Sequence, residues 1–408
     1  MSGFYHSTQY MSRQNHIRLI FTGFFIQLTT MAFGRFAYTL ILPDMMKSLG
    51  FSVTQMGVLG MGIVMGYLIN SLFSGTLSVR FGEDRVVKIS MIVLSIALFW
   101  LGYFSHFVIL FVGTVLLGAG ASGSYIPLVA LLNATFRERG KVFGIVTGGA
   151  GVGIMLCGYL IPFILSQLGE NEYRMGWYAL AIINVIVLLP SLFFLKKEPP
   201  PEKIDSHLAS AGSIISLYRG NKSLILIATI YFLLGFSYII YATYFGAYAI
   251  EEIGFSTKST GIMWSLFGIN LIYSGIFWGA LADRYDKSTV SLLVNLLLAL
   301  SVFLIIPFRF EFLFYISTFL FGFSFMGFLT IIYLLIGEEM QNNSMAKTFG
   351  ASTLLHSAGQ IISTFIAGFL KDMTGTYKIP LGISLGGLLL CVILFVKLKN
   401  RIHVSQRR

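Results

Sequence analysis

Lys196-Lys197-Glu198-Pro199-Pro200-Pro201, running on through polar residues to Asn221, is the longest polar segment of a 408-residue chain that is otherwise apolar from end to end. Proline and charge at that density stop helices and mark a connection. Working outward, six apolar runs precede it, at 17–45, 53–77, 86–105, 107–133, 141–168 and 176–195. Six follow it, at 222–250, 258–282, 288–308, 311–336, 346–370 and 378–397. An α-helix needs about 20 apolar residues to cross a hydrocarbon core about 30 Å thick, and each run is of that order. The chain therefore reads as an all-α polytopic membrane protein with twelve transmembrane helices. Residues 1–195 form one six-helix bundle, 196–221 a cytoplasmic linker, and 222–408 a second six-helix bundle with a short basic tail.

Composition agrees. Hydrophobic residues make up 56% of the chain and charged residues 11%, against roughly a quarter charged in soluble domains. The run from Ile17 to Leu42 is too long for a signal-peptide core and reads as a retained first helix. Two cysteines, Cys157 and Cys391, both in apolar runs, support neither a disulfide nor a metal site. The net charge of +11 invites a nucleic-acid reading, but its distribution answers to topology. Of the 28 Lys and Arg, all but Arg35 and six (Lys47, Arg174, Lys258, Arg309, Lys371 and Lys378) fall on the side that holds both termini. Lys and Arg are retained in the cytoplasm during insertion, so both termini are expected there, in a cytoplasmic (inner) membrane.

The two bundles repeat each other. A shift of 204 positions superposes Gly50-Phe51-Ser52 on Gly254-Phe255-Ser256, Gly57 on Gly261, Gly75 on Gly279, Gly118 on Gly322 and Gly123 on Gly327, without a gap as far as the tenth helix. Parallel six-helix repeats are one architecture built for alternating access about a site near the bilayer midplane. Helix 5 carries Gly144, Gly148, Gly149, Gly151, Gly153 and Gly158 before Pro162. Small residues at such spacing let a neighbouring backbone approach closely.

After helix 8 comes Gly279-Ala280-Leu281-Ala282-Asp283-Arg284-Tyr285-Asp286-Lys287, and after helix 2 Gly75-Thr76-Leu77-Ser78-Val79-Arg80-Phe81-Gly82. The first of these resembles the cytoplasmic-loop signature of the major facilitator superfamily, G-x-x-x-D-R-x-G-x-K/R, and the second its partner in the other half. The resemblance implies a gating role for Gly75, Arg80, Gly279, Asp283 and Arg284. Val79 stands where the family has an acid and Asp286 where it has glycine, so the expected charge latch rests on Asp283. The segment Phe33-Gly34-Arg35-Phe36-Ala37-Tyr38 is similar to a bacterial branch of that superfamily, and more distantly to its monocarboxylate and oxalate porters. The family pattern also implies that helices 1, 4, 7 and 10 line a cavity, 2, 5, 8 and 11 flank it, and 3, 6, 9 and 12 face lipid.

Arg35 is the one Asp, Glu, Lys or Arg deep in a helix, about 12 Å along the axis from Pro43 at 1.5 Å per residue. A buried arginine is costly and faces protein or water, which makes it a functional candidate; a structural pairing, with Asp44, competes with that reading. Guanidinium geometry suits a carboxylate, sulfonate or phosphate. Gln27 and Tyr38 are placed on the face of Arg35. Similar polar stripes carry Ser122 and Tyr125 on helix 4, Tyr231, Tyr238 and Tyr241 on helix 7, Asn270 and Tyr273 on helix 8, and Ser352, His356 and Gln360 on helix 11. His356 titrates near neutral pH when unperturbed, so a coupling proton, an anion contact and simple packing all remain open for it. Asn184 and Asn295, on outer helices, read as structural. Acids gather at helix ends, at Asp44, Glu251, Glu252, Glu338 and Glu339.

The expected substrate-binding set is thus Arg35, Tyr38, Gln27, Tyr125, Tyr231, Tyr238, Tyr241, Asn270, His356 and Gln360. It suits a secondary transporter of a small organic anion, with efflux of neutral or amphipathic compounds as the alternative and a transport-incompetent receptor behind both. No nucleotide loop, metal cluster or paired carboxylate supports an enzyme. The expected partners are a small anionic solute, a coupling proton or counter-solute, and the bilayer; no cofactor, metal or nucleic acid is expected, and the chain is expected to be a monomer.

Overall fold

The computed structural model describes residues 13–136, 139–168, 172–195, 218, 221–339 and 345–406. The expected linker lies outside them except at Tyr218 and Asn221, as does the side chain of Glu338. Helix α1 runs Arg13–Met31, passes through one π-helical turn, Ala32–Phe36, and continues as Tyr38–Leu49. It is followed by α2 (Val53–Phe81), α3 (Glu83–Tyr103), α4 (Phe107–Thr135), α5 (Arg139–Leu168) and α6 (Tyr173–Phe194). The second half holds α7 (Lys222–Ala247, closed by a π-helical turn Tyr248–Ile253), α8 (Thr257–Arg284), α9 (Lys287–Ile305), α10 (Glu311–Glu339), α11 (Met345–Thr374) and α12 (Lys378–Gln406). Among the described residues, twelve helices are long and apolar enough to span a bilayer. Several outrun their apolar runs, α2 to Phe81 and α12 to Gln406. Hydropathy marks only the part inside hydrocarbon, whereas backbone hydrogen bonding continues the helix into the polar layer.

The repeat seen in the sequence has local causes. Gly50 and Gly254 end their helices with φ of 65° and 89°, a left-handed conformation that glycine adopts without a Cβ penalty. Ser52 and Ser256 then cap α2 and α8, accepting from Gln55 N at 3.2 Å and Ser259 N at 3.0 Å. A Cβ on Gly118 would lie 1.9 Å from the Ile63 carbonyl oxygen, and one on Gly322 2.6 Å from that of Phe267. Ile63 and Phe267 are themselves 204 apart, so both glycines serve one helix crossing used twice.

Each half packs α2 on α4, α3 on α4, α1 on α5 and α3 on α6, or their counterparts α8 on α10, α9 on α10, α7 on α11 and α9 on α12. The halves meet along α5–α8 and α2–α11, with α1 against α7 between them. Residues 36–43 and 237–249 are buried on every side, which places α1 and α7 at the centre. Outermost are α3, α6, α9 and α12, whose exposed stripes are apolar: Ile89, Ile96 and Tyr103; Ile182, Ile186 and Phe193; Leu293, Leu296, Leu300 and Phe303; Leu389, Ile393 and Val396. Stripes of that length fit lipid contact. Asn184 donates to the Met91 carbonyl at 3.1 Å and to Ser95 Oγ at 2.8 Å, and Asn295 to the Ser291 carbonyl at 2.9 Å. Both spend their amide N–H groups on helix backbone, Asn184 also on a neighbouring serine, while neither Oδ1 has a partner among the described residues.

The helix 5 glycines divide between two neighbours. Gly149 and Gly153 face α1, at Phe24 and Leu28, while Gly151 and Gly158 face α8, at Gly268 and Gly261. In the loop after α2, Gly82 turns the chain with φ 90°. At the matching position Asp286 caps α9 instead, accepting from Thr289 N at 2.9 Å and Thr289 Oγ1 at 2.7 Å. Burial pushes the Asp286 carboxyl up, but these bonds, the Ser288 N–H and the Lys399 charge outweigh it and hold it below the ordinary aspartate value. Asp283 and Arg284 are exposed, and Arg80 lies 5.3 Å from the Phe81 ring centroid. Gly75 meets open space and Gly279 only Thr330 Cγ2 at 3.8 Å, so close packing does not account for glycine at either position.

Candidate functional site at the seam between the halves

The π-helical turn of α1 sets the site. Such a turn fits an extra residue into the helix and commonly sits at functional positions. Here it lays Gly34 against Ala121 of α4, where a Cβ would come within 2.7 Å of the Ala121 Cβ. The neighbouring Arg35 points across the seam: its Nη2 donates to the Tyr238 hydroxyl at 2.8 Å and to Gln360 Oε1 at 2.6 Å. Tyr238 is on α7 and Gln360 on α11, so one guanidinium ties the first half to two helices of the second. Its Cζ stands 5.1 Å from the Tyr67 ring centroid, a cation–π contact from α2. Both hydrogen-bond acceptors are neutral, and Nε is buried without a partner among the described residues.

Beside Arg35 lies a stack of rings. His356 is buried with its ring centroid 4.1 Å from that of Tyr231 and 5.6 Å from that of Tyr238, both nearly parallel to it. Its Nδ1 is 2.8 Å from the Tyr231 carbonyl oxygen. A carbonyl can only accept, so Nδ1 carries a proton and Nε2 is the nitrogen left to gain or lose one. Phe325 and Phe328 of α10 pack on Tyr238 at 5.0 and 5.8 Å. Tyr125 of α4 lies within electrostatic range of Arg35 and Tyr231. Toward Tyr38, Thr39 and Gly60, Arg35 borders a cavity of only about 20 Å³, room for about one water.

Of the ten residues expected to bind substrate, Arg35, Tyr231, Tyr238, His356 and Gln360 form this connected cluster, and Tyr125 adjoins it. Tyr38 shares the small cavity but gives its hydroxyl to the Met56 carbonyl at 2.6 Å, fastening α1 to α2. Gln27 is buried, and its Oε1 has no partner among the described residues. Tyr241 lies in the α7–α10 packing, its hydroxyl 2.7 Å from Ser317 Oγ and its ring 4.2 Å from Phe321. Asn270 bonds along α8, to the Leu266 carbonyl at 2.7 Å and to the Tyr273 hydroxyl. Ser122 accepts from Asn70 at 3.0 Å within the first half, and Ser352 pairs with Tyr218 at 2.8 Å. Asp44, the alternative partner proposed for Arg35, lines a separate cavity of about 580 Å³ with Lys47, Glu251 and Lys258.

Two residues of the site escaped sequence reasoning. Tyr67 stands seven residues after Gly60, and so nearly beneath it on α2; that spacing is the signal that could have found it. Gly235 lies between Tyr231 and Tyr238, and a Cβ there would come 2.2 Å from the His356 carbonyl oxygen and 2.7 Å from its Nδ1. Without that glycine the imidazole could not nest against α7.

Known proteins agree with this architecture. The family model described as Major Facilitator Superfamily matches residues 24–364. The hexuronate transporter of Bacillus subtilis (strain 168) is 25% identical over 84% of this chain and 85% of its own length. The multidrug resistance protein 2 of the same organism is 23% identical over 83% and 85%. The crystal structure of the nucleoside transporter NupG superposes with a TM-score of 0.75 at 15% identity, covering 94% of this chain and 98% of that one. Twelve spanning helices in two repeated halves, joined at a polar seam and matched by the family model over most of their length, place the chain in the major facilitator superfamily.

Proposed function

We propose that the protein is a secondary transporter of a small organic anion, carboxylate-like in its charged group, working by alternating access with both termini in the cytoplasm. The carrying observation is Arg35, a cation in the seam between the halves whose hydrogen-bond acceptors, Tyr238 and Gln360, are both neutral. A positive charge so placed repels a cationic solute and attracts an anionic one. At about 4 Å and an effective dielectric near 20 the interaction is ~4 kcal/mol. Tyr238, Tyr231 and His356 supply the aromatic wall on which the body of the solute rests, and a proton or counter-solute gradient drives the cycle. A likeness to a transporter of hexuronate, itself a carboxylate, supports this reading.

A second reading, export of neutral or amphipathic compounds, is favoured by the likeness to a multidrug resistance protein and by the Phe325–Phe328–Tyr238 cluster. Charge on the solute separates the two. Thermal stabilisation of detergent-purified protein is measured with acetate, lactate, benzoate and glucuronate, then with amines and neutral sugars, on wild type and Arg35→Gln. Carboxylates are expected to raise Tm, with apparent affinity in the variant lower by about 100-fold, equivalent to ~3 kcal/mol for hydrogen bonds to a charged group. Stabilisation by amines or neutral compounds alone would overturn the anion reading.

A further inference from the structure

We propose that Gln360 is a built-in competitor for the substrate's carboxylate: its amide oxygen occupies the place on the Arg35 guanidinium that a solute carboxylate oxygen takes during transport. This rests on the anion reading above and names the group the anion must displace. Nη2 of Arg35 already serves two acceptors, Gln360 Oε1 at 2.6 Å and Tyr238 at 2.8 Å. On the side of Tyr38, Thr39 and Gly60 the adjoining space is about 20 Å³, enough for a water and too little for a carboxylate. Nη2 belongs to both edges by which a guanidinium grips a carboxylate, with Nε or with Nη1, so an incoming carboxylate that pairs bidentately does so by exchange. The amide oxygen satisfies the hydrogen bond but leaves the buried charge uncompensated, whereas a carboxylate satisfies both. Exchange therefore runs toward the anion, while a neutral carbonyl in the solute gains nothing over the one it replaces.

The same exchange reports occupancy to the fold. Gln360 is on α11 and Arg35 on α1, so the amide–guanidinium bond is a direct tie between the halves in the solute-free protein. Gln360 also anchors its own helix, its backbone carbonyl accepting from Thr364 Oγ1 at 2.6 Å and from Ser363 Oγ at 3.2 Å. Replacing its side chain on Arg35 by a mobile solute removes one of the two cross-seam bonds of the guanidinium and leaves the bond to Tyr238 as the other. Selectivity for anions and release of the tie are then one event. Glutamine suits this role better than glutamate, whose permanent charge would win the competition against every solute.

The test is Gln360→Glu beside Gln360→Ala, with acetate, lactate and glucuronate as probes and Tm in detergent as readout. Gln360→Glu places a permanent carboxylate on Arg35. Its solute-free Tm is expected to rise by several degrees, the rise to vanish in Arg35→Gln/Gln360→Glu, and carboxylates to stabilise it no further. Gln360→Ala removes the competitor, so carboxylates are expected to stabilise it at concentrations several-fold lower than wild type needs. Because the alanine variant reads a gain, a folding defect in the glutamate variant leaves the idea open to refutation. If carboxylates stabilise wild type and Gln360→Glu alike, or need higher concentrations with Gln360→Ala, Gln360 is not the competitor and the anion reading survives. If they stabilise neither wild type nor Gln360→Ala, the anion reading falls and takes this inference with it.

Discussion

The halves meet along two crossings that the 204-residue repeat makes equivalent, α5 on α8 and α11 on α2, and they are built differently. At α5–α8 the contact is bare backbone. A Cβ on Gly261 would lie 2.1 Å from the Gly158 carbonyl oxygen, and one on Gly151 2.6 Å from that of Gly268. Ser265, donating to the Met155 carbonyl at 2.9 Å, adds a polar bond across it. At α2–α11 both helices again offer glycine, Gly57 against the Thr364 carbonyl and Gly368 against that of Val53. The end of that crossing is held by a carboxylate: Asp372 accepts from Val53 N at 3.0 Å, Thr54 N at 2.7 Å and Thr54 Oγ1. A glycine seam crossed by a single neutral side-chain bond can pivot with most of its contacts kept. Charge-assisted bonds to a helix N-terminus have one geometry and must break when that end opens. The difference casts α5–α8 as a bearing and α2–α11 as a latch.

The largest effect is expected at the bearing. Gly261→Val drives a branched side chain into the Gly158 carbonyl and the Pro162 ring, and overpacking of that kind costs ~1–3 kcal/mol or more. Thermal unfolding in detergent should show a lowered Tm together with lost transport, and an unchanged Tm would remove the bearing from the comparison. At the latch, Asp372→Asn weakens bonds to Val53 and Thr54 by ~1–2 kcal/mol. Its expected signature is conformational: a cysteine placed at Val53 should react faster with an aqueous thiol reagent in the variant than in the otherwise native chain. Equal rates would mean that Asp372 caps α2 without restraining it. Ser265→Ala should matter least, ~0.5–1 kcal/mol for one neutral bond, with transport retained. A transport loss as large as that of Gly261→Val would show that the bearing depends on its polar bond after all.

The site was legible in part, for reasons that differ between residues. Arg35, Tyr238 and Gln360 stood out because a polar group in a bilayer must be answered by another polar group, so each announced a partner without naming it. Tyr241 and Tyr38 carry the same chemical label, yet their hydroxyls go to Ser317 and to the Met56 carbonyl. A helical periodicity cannot separate these fates, because all are inward-facing and buried. Gln27 was placed with Arg35 on the assumption of one unbroken α-helix, and the π-helical turn at Ala32–Phe36 intervenes. The loop acid expected at position 79 is valine, and the buried acid nearby is Asp84, which pairs with Lys88 at 3.5 Å while Lys88 donates to the Leu195 carbonyl at the end of α6.

The chain alone determined twelve membrane helices, the repeat of six and the turns between Gly50 and Ser52 and between Gly254 and Ser256, since burial in hydrocarbon and left-handed backbone are demands on single residues or short runs. Tertiary structure alone decided which tyrosines reach Arg35, which glycines face the other half and which carboxylate latches it. Those outcomes depend on the rotation of each helix about its own axis, and that rotation is fixed by close contacts between residues hundreds of positions apart.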